Sequence, residues 1–574
     1  MKKSYENYFN NEELLEFLKH HKSNYPNYFD YESIGKSTWG EDIWLITLSD
    51  KTVGRHDEKP AFWIEANIHA SEVTGTQGAL YFCERLLNDI DNTKQSMNDD
   101  FKINAKELFK KVTYYILPRF TPDGARAFFN EKNSSRSTPL DRPFHYSESS
   151  FKRKDMDGDG EITLMRWQDP SGPFKELEGF PGVLVPRQPY ENYEEGKVYY
   201  NVLPEGVFEN YDGFTKVKNY DFGYDFNRQS PSFFTSEGLQ KGAGEMPLEF
   251  PETKAVAEAF RKRKNIYASN SYHTYGGFVI KTPANVADSD VPLEDLMIMQ
   301  KMGELLTSET DYTLHSGNDD FIYVPGQSLP GTFDEWYYLS QGVLGITIEY
   351  WDLWKHADIP WKKAVEKYES ISEENMKKLI HWCQKNLSQE DYFLPWEKYD
   401  HPQLGSVEIG GFKTGFFLTN PPLKFLKAEL EKVFRGTFLT SKIYPNIEIK
   451  EKNIIKIDEK TTKLELVITN TGYLPTNGCQ QSLKVKSIGH PDIKYNITNF
   501  NSDFNWIKKV NFGEIKHLKG FADGMPRISP FFGTSFAHAF EQKLEWVIQG
   551  KANIEVEIGY YKGGVLRTNF DLCK

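Results

Sequence analysis

Short apolar runs alternate with stretches of helical period from about residue 30 to residue 385. "AFWIEANI" (61–68) and "KVTYYILP" (111–118) read as strands; between them "SEVTGTQGALYFCERLLND" (71–89) sets Leu80, Cys83, Leu86 and Leu87 on one helical face. "NIYASNSYH" (265–273) and "GVLGITIEY" (342–350) read as two further strands, each ending at a polar or charged residue. Strand and helix in alternation predict an α/β domain, whose ligands bind beyond the carboxyl ends of the strands. Between about 130 and 225 the rhythm breaks. "STPLDRPFHYSESSFKRKDMDGDG" and "PRQPYENYEEGKVYYN" are rich in Pro, Gly, Tyr and charge, and predict a long insertion rather than sheet. A long helical stretch (358–387) and the turn-rich "PWEKYDHPQLGSVEIGGF" (395–412) follow. Beyond them "TKLELVITNTGYLPT", "QQSLKVKSI" (480–488) and "ANIEVEIGYYKGGVLRTNFDL" alternate in period two between Gly and Asn turns, which predicts a separate all-β sandwich. The expected organisation is an α/β domain over 1–390, carrying the insertion, and a linker with the sandwich over 391–574.

Length agrees with this division, since 574 residues exceed one ordinary core. With 69 basic against 82 acidic residues the net charge is −13, which argues against a nucleic-acid surface or a polybasic membrane patch. The cysteines, Cys83, Cys383, Cys479 and Cys573, show no ligand spacing, so neither a disulfide framework nor a thiolate metal site is expected. No run approaches the roughly 20 apolar residues of a bilayer span. The start, "MKKSYENYFNNEELLEF", has no apolar segment and is no signal peptide as written. A cytoplasmic protein is expected, or an exported one if a leader was removed.

Chemistry enters where the first strand ends. His69 and Glu72 lie at i and i+3, a spacing at which both side chains converge as a strand turns into a helix. Imidazole nitrogen and carboxylate oxygen both suit zinc, and a catalytic zinc takes three protein ligands and leaves one position open. His273 in "SNSYHTYGGF", again at a strand end, is the best candidate for the third. Water activated by the metal needs a base, and Glu349 in "GITIEYW" closes an apolar strand where a solvent-facing charge would be unusual. Most of the 13 histidines must be surface or satisfied core residues, and HxxE alone is weak evidence, so the weight lies in the combination.

In order and context the chain resembles the M14 zinc carboxypeptidases. The likeness runs from "SIGKSTWGEDIWLITLSD" (33–50) through "HASE" (69–72), "PRFTPDGAR" (118–126), "YDFNRQSP" (224–231) and "SYHTYGG" (271–277) to "ITIEYW" (346–351). "DMDGDGEITLMR", "HPQLGSVEIGGF" and "VITNTGYLPT" resemble a bacterial branch with a C-terminal β-sandwich. The resemblance implies a mixed, mostly parallel eight-stranded sheet flanked by helices, one catalytic zinc, and removal of C-terminal residues from peptides. It implies His69, Glu72 and His273 as zinc ligands and Glu349 as general base. It also implies Asn227 and Arg228 as the grip on a substrate's terminal carboxylate, for which a guanidinium offers two parallel donors. Tyr323 matches the family's mobile tyrosine. Arg153 in "FKRKD" matches the arginine that polarises the scissile carbonyl, with Arg119 as its competitor. Phe333, beside Asp334, falls where the family sets side-chain preference, which implies an apolar pocket.

Asp155, Asp157 and Asp159 stand at every second position with Gly160 at the sixth, the opening of an EF-hand-type calcium loop. The twelfth position is Arg166, so a structural calcium site must recruit another acid such as Asp169. Two alternatives to a peptidase remain: an M14-like amidase, deacylase or peptidoglycan stem-peptide hydrolase with the same machinery, and a catalytically silent peptide- or glycan-binding protein. The second should lack a ligand or the base, and none is missing here.

Overall fold

The computed structural model describes residues 3–91, 101–132, 135–140, 150–191, 196–211, 213, 219–220, 223–321, 329–361, 371–522 and 540–573. Eight strands form one mixed sheet, in the spatial order Phe29–Lys36, Asp42–Leu48, Thr113–Leu117, Ala61–Ala66, Ile266–Thr274, Leu344–Tyr350, Phe278–Lys281, Thr313–Ser316. Ala61–Ala66 is parallel to Thr113–Leu117 and to Ile266–Thr274, which is in turn parallel to Leu344–Tyr350. These four central strands are buried along their whole length, as strands between two helical layers must be.

Alternation along the strands divides the core in two. Phe62, Ile64, Tyr114 and Ile116 face the helices Val73–Ile90, Leu293–Thr310 and Leu423–Ser441, whereas Trp63, Tyr115 and Leu117 face Pro251–Lys262 and Phe333–Gln341. The helix Val73–Ile90 lies unusually close to the sheet. A β-carbon at Gly75 would stand 2.9 Å from the Tyr272 carbonyl oxygen, and one at Gly78 would overlap the Tyr350 hydroxyl. Small residues after Glu72 therefore set the helix down at the point where the ligand turn ends.

The insertion differs from expectation, for it is largely β-structure. Leu164–Gln168, Phe174–Leu177, Phe180–Pro186 and Tyr200–Pro204 join Phe393–His401 and Gly405–Phe412 in a six-stranded sheet. The "turn-rich" stretch 395–412 is thus a hairpin paired to Leu164–Gln168. Arg166 is buried between the rings of Tyr200 and Trp396 and pairs with Glu176 and Glu408 at 2.9 and 2.8 Å, so a charged residue sits where an apolar one would have signalled a strand.

From Ile447 onward two sheets, of four and three strands, form the sandwich. Leu464, Leu466, Ile468 and Trp546 meet Ile554, Val556, Ile558 and Phe570 between them. "QQSLKVKSI" is not a strand: Gln480–Lys484 is a helical turn. Asp295 of Leu293–Thr310 accepts the Gln480 and Gln481 amides at 2.7 and 2.9 Å, and orphan N–H groups met by a carboxylate favour helix over strand. No described helix is long and apolar enough to cross a membrane.

Candidate metal centre

Ala61–Ala66 ends at Asn67, whose φ of 57° turns the chain sharply, a conformation that asparagine tolerates better than most residues. Its side-chain amide donates to the His69 carbonyl oxygen at 2.6 Å and so fixes the turn. Glu72 caps the helix Val73–Ile90, with its carboxylate at the positive end of the helix dipole. His273 and Glu349 arrive on adjacent parallel strands in direct register. Turn and strands meet at the carboxyl edge of the sheet.

The three expected ligands converge there and are buried, at 2–4% exposure. His69 Nδ1 lies 2.7 Å from Glu72 Oε1, and His273 Nδ1 lies 3.1 Å from Glu72 Oε2 and 3.2 Å from His69 Nδ1. Two imidazole nitrogens facing each other across a carboxylate leave little for a proton to bridge, whereas one cation satisfies all three donors. The His₂Glu set, borderline in softness, suits zinc. His69 Nε2 lies 3.3 Å from Asp225 Oδ1, which directs the Nε2 proton to Asp225 and leaves Nδ1 for a metal. The geometry therefore fits the ion.

Charge around this point is ordered by neighbours. Burial alone would raise the Glu72 carboxyl, but His69 and His273 outweigh it and hold it well below the usual range. Asp225 is likewise held low against its burial by Arg228, Arg136 and His69. Glu349 behaves in the opposite way: burial, reinforced by the Glu72 charge and only partly offset by His273 and Arg136, pushes it up to about 8. Its Oε2 is buried without a hydrogen-bond partner among the described residues.

Asn227 and Arg228 sit in the turn Phe226–Arg228, capped by Asp225 through the Asn227 amide at 2.8 Å. Asn227 Oδ1 accepts the Phe333 amide at 2.9 Å, which ties the turn to the helix Phe333–Gln341. Arg228 is nearly buried, and its Nε has no acceptor among the described residues. The Phe333 ring is fully buried against Phe120 and Trp336, so it belongs to the core.

Of the two arginines weighed for the carbonyl, Arg119 is committed elsewhere. Arg119 is buried and donates to Asn67, Asn11 and the Phe9 carbonyl, and burial pushes its guanidinium down to about 9. Arg153 ends the strand Ser150–Arg153 and lines a cleft that starts at Ser71. The arginine brought to the ligands is Arg136, whose Nη1 donates to Glu72 Oε1 at 3.1 Å and whose Nε donates to Asp225 Oδ2 at 3.2 Å. Its carbonyl oxygen also accepts the Ala70 amide inside the ligand turn, at 2.7 Å. Sequence reasoning missed Arg136 because "NSSRST" carries no periodicity. Asp225 was missed as well, although it stands two residues before Asn227 in "YDFNRQSP". Tyr323 lies outside the described residues.

Asp155, Asp157 and Asp159 do gather, with carboxylate oxygens within 4.8 Å of one another. Asp169, the acid expected to complete the loop, is engaged instead, its carboxylate accepting from Ser171 and Asn201, while Arg166 pairs with Glu176 and Glu408. Glu205 approaches the loop instead, but the Met156 and Thr163 amides occupy its two oxygens.

Residues 14–375 match the zinc carboxypeptidase family, Peptidase_M14, and residues 446–571 match a domain of unknown function, DUF8731. The chain is 26% identical over 204 residues to carboxypeptidase D of Rattus norvegicus, covering 34% of this chain and 14% of that protein. It is 25% identical over 243 residues to carboxypeptidase SOL1 of Arabidopsis thaliana, covering 42% and 46%. The matches thus span less than half of either relative's length. Bovine thrombin-activatable fibrinolysis inhibitor, solved in complex with tick carboxypeptidase inhibitor, is similar over 76% of this chain and 97% of its own, at 16% identity and a TM-score of 0.41. The family match takes in more than half of the sequence and includes His69, Glu72, Asn227, Arg228, His273 and Glu349, and the chain belongs to the zinc carboxypeptidase family.

Proposed function

We propose that this chain is a zinc-dependent metallocarboxypeptidase that hydrolyses the C-terminal peptide bond of peptides. The observation that carries the reading is the convergence of His69, Glu72 and His273 at one buried point, with Glu349 on the neighbouring strand, its Oε2 without a hydrogen-bond partner among the described residues. Zinc held by those three residues supplies Lewis acidity and a water of lowered pKa. Glu349 accepts the proton of the attacking water and returns it to the leaving amine. Arg136, already directed at the ligand carboxylate, offers donors to the carbonyl oxygen as it gains charge. Asn227 and Arg228 hold the terminal carboxylate, which selects a free C-terminus over a mid-chain amide.

A substrate panel tests the reading. A peptide with a free C-terminus, its C-terminally amidated counterpart and an N-acyl amino acid are incubated with zinc-loaded protein, and release of the last residue is followed by mass spectrometry. The free peptide alone should be shortened, and chelation should stop the reaction until zinc is returned. Equal cleavage of the amidated peptide, or turnover of the N-acyl amino acid alone, would replace the carboxypeptidase by an amidase or deacylase.

A further inference from the structure

Arg119 spreads its guanidinium over three oxygens. Its Nε donates to Asn67 Oδ1 at 3.2 Å, and its Nη1 and Nη2 donate to Asn11 Oδ1 and to the Phe9 carbonyl oxygen, each at 2.6 Å. The side chain is buried, all three acceptors are neutral, and no carboxylate pairs with it among the described residues. A buried cation without a counter-charge costs stability, so packing alone would favour an apolar residue here. What the cation does fix is the Asn67 amide. With the guanidinium on its oxygen side, Nδ2 is directed at the carbonyl oxygens of His69 and Ala70, at 2.6 and 3.3 Å. A reversed amide would set its N–H groups against the guanidinium and its oxygen against two carbonyls. The Thr76 hydroxyl, 3.4 Å from Asn67 Oδ1, is committed to the Pro118 carbonyl oxygen at 2.7 Å.

The acceptors of Arg119 are held in their turn by chain that lies outside the family match at 14–375. The Phe9 amide donates to Gln77 Oε1 at 3.1 Å, and Gln77 Nε2 donates to the carbonyl oxygens of Ser4 and of Asn7, the latter at 2.7 Å. Residues 4–9 are thereby fastened to the helix Val73–Ile90, which begins directly after Glu72. The Tyr8 hydroxyl donates to the Pro421 carbonyl oxygen at 2.6 Å, and the adjoining, buried Asn420 donates to the Ser71 carbonyl oxygen at 2.8 Å and accepts the Thr74 amide at 3.0 Å. Hydrogen bonds and peptide links thus close a ring, from Asn67 through Arg119, Phe9, Tyr8, Pro421 and Asn420 back to Ser71 in the ligand turn.

We propose that Arg119 is a positioning residue for His69: seated by Phe9 and Asn11, it holds the Asn67 amide against the ligand turn, so that the imidazole is presented to the metal already in place. Without that hold, the turn must be ordered as the metal binds, and the ordering cost is taken from the affinity. The proposal rests on zinc at His69, Glu72 and His273, and on no other part of the carboxypeptidase reading. It places Arg119 with the metal centre instead of with the scissile carbonyl, and makes the segment through Phe9 and Asn11 part of that centre's support.

Zinc dissociation constants are measured by competition with a chromogenic chelator for the unaltered full chain, Arg119→Met, Asn67→Gly and the double variant. Glycine accepts the φ of 57° at position 67, so Asn67→Gly removes the amide without straining the turn. Partners behind a metal ligand typically carry about 10–100-fold in affinity, and since Asn67 acts on the ligand's backbone, each single substitution should weaken zinc by about tenfold. The double variant should lose no more than the larger single loss, because both substitutions cut one path. An unchanged constant in Arg119→Met would overturn the proposal. So would a double loss equal to the product of the two single losses, which is what substitutions that loosen the fold independently would give. If Arg119→Met does not fold, Asn11→Ala replaces it in the same cycle: it should weaken zinc in the unaltered background and not in the Asn67→Gly protein, and an equal loss in both would overturn the proposal. A chain that binds no zinc before any substitution would overturn the metal centre and this proposal with it. Absence of peptide hydrolysis with zinc bound would overturn the carboxypeptidase reading alone, and the affinity comparison would still decide the role of Arg119.

Discussion

Asp225 orients His69 from behind, and Arg136 bridges Asp225 to Glu72, so these two residues separate metal binding from chemistry. Removing a partner that fixes a ligand's tautomer typically weakens metal affinity by about 10–100-fold. Asp225→Ala should therefore raise the zinc dissociation constant by about that factor, measured by competition with a chromogenic chelator; unchanged affinity would remove Asp225 from this role. Arg136→Ala should keep its zinc and lower kcat by about 10²–10³, the usual loss when one donor to a developing oxyanion is removed. A kcat within twofold of the unaltered chain would return the role to another group, with Arg153 the first to test.

The ligand turn works because an element is set down closely on the sheet, and Gly78 is the position that allows it. A methyl group at 78 must displace either the helix Val73–Ile90 or Tyr350, the neighbour of Glu349. Overpacking of this kind costs about 1–3 kcal/mol. Gly78→Ala should therefore lower the midpoint of thermal unfolding and reduce bound zinc, read by calorimetry and elemental analysis on the same sample. The four central strands were legible in the sequence because three of them, buried on both faces, read as largely apolar runs, and the candidate ligands were legible because they stand where strands end. The insertion's strands were not, since Leu164–Gln168 finds one partner far along the chain in Gly405–Phe412 and holds the buried Arg166 in place of an apolar residue. The turn Gln480–Lys484 was misread because Asp295, distant in sequence, decides its conformation. Arg136 shares no local pattern with Glu72, 64 residues away, and only the folded chain brings them together.

At the scale of the whole molecule, the sandwich is locked to the end of the helix Phe333–Gln341. The Gly342 carbonyl oxygen accepts from Cys479 Sγ and from the ammonium of the fully buried Lys562. Burial pushes Lys562 down to about 8 against the attraction of Cys479 and Asp295. Between pH 8 and about 10.5 the unfolded chain holds a proton that the folded chain has released, so folding gains as pH rises through this window and loses as pH falls back to 8. The difference in Tm between the unaltered chain and Lys562→Met should shift in favour of the unaltered chain between pH 8 and pH 10, and a constant difference would show that the lysine is not buried as described. Across the molecule, separate parts of one sheet edge bring His69, Glu72 and His273 together with Glu349 on the adjacent strand. The most direct test measures bound zinc and turnover of a free-C-terminal peptide on one preparation of the Glu349→Gln protein. One zinc per chain with turnover abolished is the predicted result; full turnover would contradict it.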